Sequence, residues 1–136
     1  MNRKDLFQKI IENKIFAYKV AENFDYLAFL DLYPMKIGHT LVIPKKRVDN
    51  IFSMTENDFI SIMSFSRKVG LSLEKVIPCN RIGMFVLGFE IPHVHIHLIP
   101  MDTENDANFS KKRIFLSEKN FQFLSERIKK QIDINH

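Results

Sequence analysis

The sequence lacks the features that mark several large classes of protein. Its single cysteine, Cys79, cannot form an internal disulfide, which fits a reducing compartment. No apolar run approaches the ~20 residues that a membrane-spanning helix requires. Charges interrupt each short apolar run of the N-terminal stretch "MNRKDLFQKIIENK", so no signal peptide is expected. These absences predict a cytoplasmic protein with no membrane partner.

Tryptophan is also absent, and the 13 phenylalanines are spread along the chain rather than gathered into a surface on which bases could stack. The excess of basic residues is small, 20 against 16 acidic, for a net charge of +4. The basic clusters at 44–47 and 111–113 are short, and solvated loop ends explain them better than a nucleic-acid surface does. No nucleic-acid partner is expected.

What the chain does contain is enough apolar sequence for one core, because 46% of its 136 residues are hydrophobic. We therefore expect a single domain over residues 1–136. Apolar periodicity and capping residues predict helices and strands in alternation. The helices are predicted at 3–12, 55–75 and 117–131, and the strands at 15–23, 26–34, 39–45, 81–89 and 93–100. Short links between strands favour antiparallel pairing. The expected fold class is α+β, with a five-stranded antiparallel sheet, a long helix and flanking short helices.

Three of the five histidines lie at alternate positions of one predicted strand, "HVHIHLIP". Residues two apart on a strand share a face, so His93, His95 and His97 are expected in one row. The apolar residues between and after them would face the core: Val94, Ile96 and Leu98. Neutral imidazoles in such a row can bind zinc, or one can attack phosphorus while its neighbours hold the phosphate oxygens. The spacing alone leaves both chemistries open.

A second stretch narrows the choice. "FLDLYPMKIGHTLVIPKKR" (29–47), followed by "PHVHIHLIP" (92–100), resembles the histidine triad (HIT) family of nucleotide hydrolases and transferases. The family motif is His-φ-His-φ-His-φ-φ, with φ apolar, and residues 93–99 satisfy it at every position. The resemblance extends over residues 6–100. It implies a HIT-like fold and a homodimer, for which strand 81–89 and the long helix are the natural contact.

The resemblance also implies an activity. It predicts attack on the α-phosphate of an adenine or other purine nucleotide conjugate, of the phosphoramidate or dinucleoside polyphosphate type, through a covalent nucleotidyl-histidine intermediate. His95 is the implied nucleophile, His97 and His39 its partners on the phosphate side, and His93 the member that tunes its neighbours. Asp31 would bind the ribose hydroxyls, although an aspartate here also suits a turn. The implied purine pocket, whose residues equally suit a plain core, comprises Phe7, Ile10, Ile15, Phe29, Leu32 and Ile91.

The chain departs from the family at 88–91, where it has Gly-Phe-Glu-Ile. Members active on phosphoramidates have Gly-Gln-Ser/Thr-Val there, so Glu90 replaces a hydroxyl that would serve the leaving group. A carboxyl could donate that proton if burial raised its pKa, or it could pair with a histidine. No cofactor is expected for the enzyme. The alternative is a non-catalytic regulator that binds purine nucleotides or zinc, with zinc at His39, His93 or His95.

Overall fold

The structure, a computed structural model, describes residues 3–134 of the chain. Its elements follow the predicted order of helix, three strands, long helix, two strands and helix. In chain order they are α1 (Leu6–Ile11), β1 (Lys19–Glu22), β2 (Tyr26–Leu30), β3 (Thr40–Pro44), α2 (Glu56–Val76), β4 (Arg81–Val86), β5 (Ile96–Met101) and α3 (Glu118–Ile134). Short 3-10 turns lie at Arg3–Asp5, Ile51–Ser53 and Glu104–Ala107. Within residues 3–134, no helix is both long and apolar enough to cross a membrane.

The strands form one five-stranded sheet in the order β1–β2–β3–β5–β4. Every pair of neighbours is antiparallel. The pairing of β3 with β5 brings Leu41 opposite His97, although the two residues are far apart in the sequence. The predicted α+β class and antiparallel sheet are therefore confirmed.

Helices α2 and α3 cover one face of this sheet. Thr55 caps α2, because its hydroxyl accepts a hydrogen bond of 3.1 Å from the Asp58 N–H. Ile62, Val69 and Leu73 follow at helical spacing and are buried. They belong to the main core together with sheet-side residues that point the same way: Tyr26, Ala28, Leu30, Val42, Val94, Ile96 and Leu98. The prediction that Val94, Ile96 and Leu98 face the core is thus confirmed.

The opposite face of the sheet carries α1. Leu27 and Phe29 alternate with the main-core residues of β2, so their side chains project to the other side. There they meet Phe7 and Ile10 of α1 in a second apolar cluster. Leu41 belongs to this cluster, and cross-strand partners in a sheet project to the same side. Its partner His97 therefore lies on the α1 face, and so does the histidine row.

Several element boundaries differ from the prediction. Strand β5 begins at Ile96 rather than at residue 93, so two of the three row histidines precede it. The cause is a detour of the backbone, because the Val94 N–H donates to the Val48 carbonyl at 2.7 Å instead of joining the ladder. Strand 26–34 ends early, at Leu30, and strand 15–23 is reduced to β1. The last helix continues past 131 to the end of the described residues.

Candidate active site

Three segments bring four histidines together beneath α1. His39 immediately precedes β3, His93 and His95 precede β5, and His97 lies within β5. All four are buried, with 1, 1, 9 and 7% of their surface exposed in that order. The register of β3 against β5 is what closes the sequence distance between His39 and His97.

The turn before His39 depends on Gly38. This glycine has φ of +92°, a conformation that side chains other than glycine's rarely adopt. A Cβ there would also lie 2.9 Å from the Ile77 side chain. The tight turn lets the His39 N–H donate to the Lys36 carbonyl at 3.0 Å. His39 is thereby directed inward toward His97.

His39 and His97 form a hydrogen-bonded pair whose direction is set by the backbone. The Met35 N–H donates to His39 Nδ1 at 3.0 Å, so Nδ1 is unprotonated and Nε2 carries the proton. His39 Nε2 lies 2.9 Å from His97 Nδ1 and donates to it. In a neutral His97 the proton must then be on Nε2. That N–H is the donor which the pair can offer to a bound group.

His95 presents the opposite nitrogen. Its Nδ1 lies 2.8 Å from the His93 carbonyl oxygen, which can only accept a hydrogen bond. Nδ1 therefore carries the proton, and Nε2 keeps a lone pair. The Phe7 ring packs against the imidazole with centroids 5.0 Å apart, which restricts its rotation. The arrangement holds one ring nitrogen ready for nucleophilic attack.

His93 has a structural role, because it fixes the backbone beside His95. Its Nε2 donates to the Pro44 carbonyl at 2.8 Å, which ties the segment before β5 to the end of β3. Its Nδ1 is buried without a hydrogen-bond partner among the described residues. The ring is in edge contact with Phe7 at 5.7 Å between centroids. His93 thus supports His95 through its backbone carbonyl and its fixed position.

Burial lowers the pKa of all four imidazoles below the usual ~6.5. For His39 and His97 burial, reinforced by the neighbouring charge of the partner or of His95, lowers the pKa to about 3. The imidazoles are therefore neutral near pH 7. This state suits a nucleophile at His95, but it gives the site no cationic histidine with which to balance phosphate charge.

Asp31 follows β2 at the edge of this group. One carboxylate oxygen accepts the Tyr33 N–H at 2.9 Å, so the turn that the sequence allowed is present. The other oxygen lies 3.7 Å from His39 Nε2 and 3.9 Å from Arg113 Nη1. Burial raises the pKa of the carboxyl, against the Tyr33 hydrogen bond and the Arg113 charge. The turn thus places the carboxylate beside the histidine pair.

The residues predicted for a purine pocket do not all lie together. Phe7, Ile10, Phe29 and Ile91 share the second apolar cluster, and Ile15 is partly buried against it. Leu32 is 43% exposed and outside that cluster. The members of the cluster are buried, so they form part of the core, and Phe7 among them also contacts the His95 ring.

Glu90 lacks the burial that a proton-donating carboxyl would need. Its side chain is 75% exposed, and it forms an ion pair of 3.4 Å with Arg3 rather than with a histidine. Its charge nevertheless raises the pKa of His95, opposing the effect of burial. Phe89 beside it is 96% exposed. The expectation of a buried or histidine-paired Glu90 is corrected accordingly.

Sequence reasoning missed two residues of the site. The basic cluster at 111–113 was interpreted as a solvated loop end, but just before it the Phe109 ring lies 5.1 Å from that of His97. The Arg113 guanidinium lies 5.9 Å from the Phe109 centroid and donates to the Tyr33 carbonyl at 2.9 Å. The one sequence signal that could have indicated this contact is an aromatic residue, Phe109, within a polar run.

One group of side chains has the composition of a metal site. Donor atoms of Asp31, His39 and His97 all lie within 4.8 Å of one another, and this set differs from the zinc ligands considered from the sequence. A metal at His39 would need an unprotonated Nε2, while the Met35 N–H already occupies Nδ1. The two facing nitrogens of the pair are hydrogen-bonded to each other. The geometry favours a hydrogen-bonded pair, and it accommodates a metal only after that bond is broken.

The amino-acid sequence is similar to a known family model and to several known proteins. The family model described as the HIT domain matches residues 12–104. An uncharacterised HIT-like protein of Borreliella burgdorferi is 30% identical over 135 residues, or 93% of this chain and 97% of that protein. An adenosine 5'-monophosphoramidase of Schizosaccharomyces pombe is 33% identical, covering 73% of this chain and 75% of its own length. An asymmetrical bis(5'-nucleosyl)-tetraphosphatase of the same organism is 32% identical, covering 67% of this chain and 51% of its own length.

The fold has close counterparts among solved structures. A hypothetical histidine triad nucleotide-binding protein from Sulfolobus tokodaii superposes with a TM-score of 0.80 at 27% identity. The superposition covers 95% of this chain and 92% of that one. The likeness therefore extends over nearly the whole chain.

Proposed function

Because the chain belongs to the histidine triad (HIT) family, we propose that it is a nucleotide hydrolase or transferase which attacks the α-phosphate of a purine nucleotide conjugate. The observation that carries the proposal is the 2.8 Å hydrogen bond from His95 Nδ1 to the His93 carbonyl. It leaves Nε2 of a neutral imidazole as the attacking atom. The activities in the names of the two Schizosaccharomyces pombe relatives support a phosphoramidate or a dinucleoside polyphosphate as substrate.

The reaction proceeds in two displacements. In the first, the Nε2 lone pair of His95 forms a bond to the α-phosphorus, and the bond from phosphorus to the leaving group breaks. The leaving group carries away the electron pair of that bond and, when it is an amine, takes up a proton from solvent, and the nucleotidyl group stays on His95. In the second, water attacks the same phosphorus and loses a proton to solvent, the phosphorus–nitrogen bond breaks with its electron pair returning to His95 Nε2, and the mononucleotide is released. A second acceptor in place of water would make the protein a transferase.

The remaining residues orient the substrate and hold charge. The His97 Nε2–H can donate to a phosphate oxygen or to the leaving atom, and the hydrogen bond from His39 fixes that direction. Asp31 is proposed to accept the ribose hydroxyls. The apolar cluster around Phe7, which contacts His95, is proposed to receive the purine once α1 yields slightly. Glu90 is exposed and paired with Arg3, so no part in the reaction is proposed for it in this conformation.

The proposal is tested by trapping the intermediate. Purified protein is mixed with adenosine phosphoramidate or diadenosine tetraphosphate and quenched, and intact mass is measured for an added adenylyl group. We expect the adduct on the wild type and no adduct on His95→Ala. The matched control is Phe115→Ala, which removes a side chain that is 90% exposed. Turnover of either substrate by His95→Ala at the wild-type rate would refute the mechanism.

A regulator that binds zinc is the second candidate, because the donor atoms of Asp31, His39 and His97 converge. It is tested by measuring the metal content of protein purified without chelators. Stoichiometric zinc whose removal abolishes nucleotide binding would support the regulator. Full hydrolytic activity in metal-free protein would exclude it.

We also propose a cytoplasmic homodimer joined along β4 and α2. β4 is an edge strand, and Met84 on it and Leu71 on α2 are 41% and 40% exposed. The single cysteine supports the compartment. Light scattering is expected to give a dimer for the wild type and a monomer for Met84→Lys. Phe123→Lys, which changes an apolar residue 61% exposed on α3, is the control. A wild-type monomer at micromolar concentration would contradict the assembly.

A further inference from the structure

Arg113, in the segment that follows β5, places a positive charge beside the histidine site. The Arg113 side chain is 34% exposed, against 17% for the Asp31 side chain beside it, and His97 is buried. The Arg113 guanidinium contacts the face of Phe109, whose ring contacts His97. Arg113 is therefore a partly exposed cation next to the groups that surround His97.

Arg113 keeps donors free for such a molecule. A guanidinium has five N–H groups. Among the described residues, the hydrogen bond to the Tyr33 carbonyl and the ion pair with Asp31 both use Nη1. Nη2 and Nε remain available. The fixed fork of donors is suited to two oxygens of one phosphate.

The neutral histidines make this cation important. The positive charge of Arg113 lowers the pKa of His39 and of His97, so it acts on both imidazoles of the pair. The pair supplies hydrogen-bond donors but no net charge near pH 7. A substrate with several phosphates brings more negative charge than these donors can neutralise. Arg113 supplies a positive charge beside the pair.

We propose that Arg113, held on Phe109, is a specificity residue that binds a phosphate beyond the α-phosphate. It would favour nucleotide conjugates with a polyphosphate leaving group over those with an amine. This inference deepens the proposed function and rests on it for the identity of the reacting phosphate. The contact with Asp31 allows a different role, in which Arg113 only keeps that carboxylate ionised and in place. The two roles differ in which substrates they affect.

Binding of plain nucleotides separates these roles without relying on turnover. The dissociation constants of AMP, ADP and ATP are measured by calorimetry for His95→Ala and for the same protein carrying Arg113→Gln. We expect Arg113→Gln to weaken ADP and ATP about 10-fold and AMP less than threefold, since one charge-assisted contact is lost. Lys112→Gln removes the neighbouring positive charge and is expected to weaken none of them by more than about twofold.

Turnover supplies the second comparison. Arg113→Gln in the otherwise native chain is expected to lower kcat/KM for diadenosine tetraphosphate about 10 times more than kcat/KM for adenosine phosphoramidate. Arg113→Lys should recover part of the difference, because it keeps the charge without the fork. Melting curves like that of the wild type would confirm that the variants fold.

Failure of this inference is distinct from failure of the proposed function. Equal weakening of AMP, ADP and ATP, no weakening, or no binding of any of them would overturn the role of Arg113. If wild type binds the nucleotides with the expected dependence on Arg113 but forms no adduct and hydrolyses neither substrate, the proposed enzyme is wrong and the phosphate contact stands.

Discussion

The four buried imidazoles form two pairs that the fold holds in different ways. His93 and His95 each donate to a backbone carbonyl, that of Pro44 and that of His93. His39 and His97 bond to each other, and the Met35 N–H sets the direction of that bond. A carbonyl is always an acceptor, whereas an imidazole changes its role when it gains a proton. The proposed nucleophile therefore belongs to the pair whose tautomers do not depend on another titrating group.

The largest expected effect comes from substituting His95 and His97, the member of each pair that is proposed to act on the substrate. His95→Gln is expected to lower kcat/KM at least about 1,000-fold, because it removes the attacking nitrogen. His97→Gln keeps a donor near the same position and is expected to cost only about 10- to 100-fold. Initial rates on adenosine phosphoramidate measure both. Comparable losses in the two variants would show that the pairs are not functionally distinct.

The next prediction concerns the member that holds the backbone. His93→Ala is expected to lower the free energy of unfolding by about 3 kcal/mol, because it leaves a cavity and an unpaired Pro44 carbonyl. Urea denaturation measures the loss. Phe115→Ala, at a side chain 90% exposed, serves as the control and should change stability by less than about 0.5 kcal/mol. A His93→Ala protein as stable as that control would remove His93 from its structural role.

The pair of His39 and His97 is expected to lower the stability of the folded protein in acid. Burial lowers the pKa of each to about 3 in the folded state, against ~6.5 in the unfolded chain. Between these values the unfolded chain binds more protons, so stability is complete above pH 6.5 and falls as the pH drops toward 3. Each histidine contributes a slope of at most about 1.4 kcal/mol per pH unit.

Urea denaturation at pH 7.5 and pH 5 tests this dependence. A His39→Gln/His97→Gln double variant should lose about 2 to 4 kcal/mol less than the wild type over that interval, because it lacks both titrating groups. Carboxylates titrate in both proteins, so the difference between them isolates the histidines. Parallel losses would mean that the two imidazoles accept protons readily in the folded state.

The side of the sheet on which each residue lies could be predicted from the sequence, whereas the points at which the backbone leaves the strand ladder could not. Alternation placed Val94 toward the core and His95 away from it, and this holds although β5 begins only at Ile96. The hydrogen bond from Val94 to Val48 depends on a distant loop, which local pattern does not encode. Arg113 was missed for the same reason. Its basic neighbours suggested a solvated loop end, and only the contact of Phe109 with His97 draws it to the site.

The smallest expected effect tests the exposed end of the site. Glu90→Gln is expected to shift the melting temperature by no more than about 1 °C, because a pair as exposed as Glu90 and Arg3 adds little stability. It should lower kcat/KM for adenosine phosphoramidate less than about threefold, since the carboxyl is exposed and pairs with Arg3 rather than with a histidine of the site. Arg3→Gln, which removes the other partner, is the matched control. A loss of 100-fold or more in Glu90→Gln alone would show that this loop closes over bound substrate and carries the carboxylate to the leaving group.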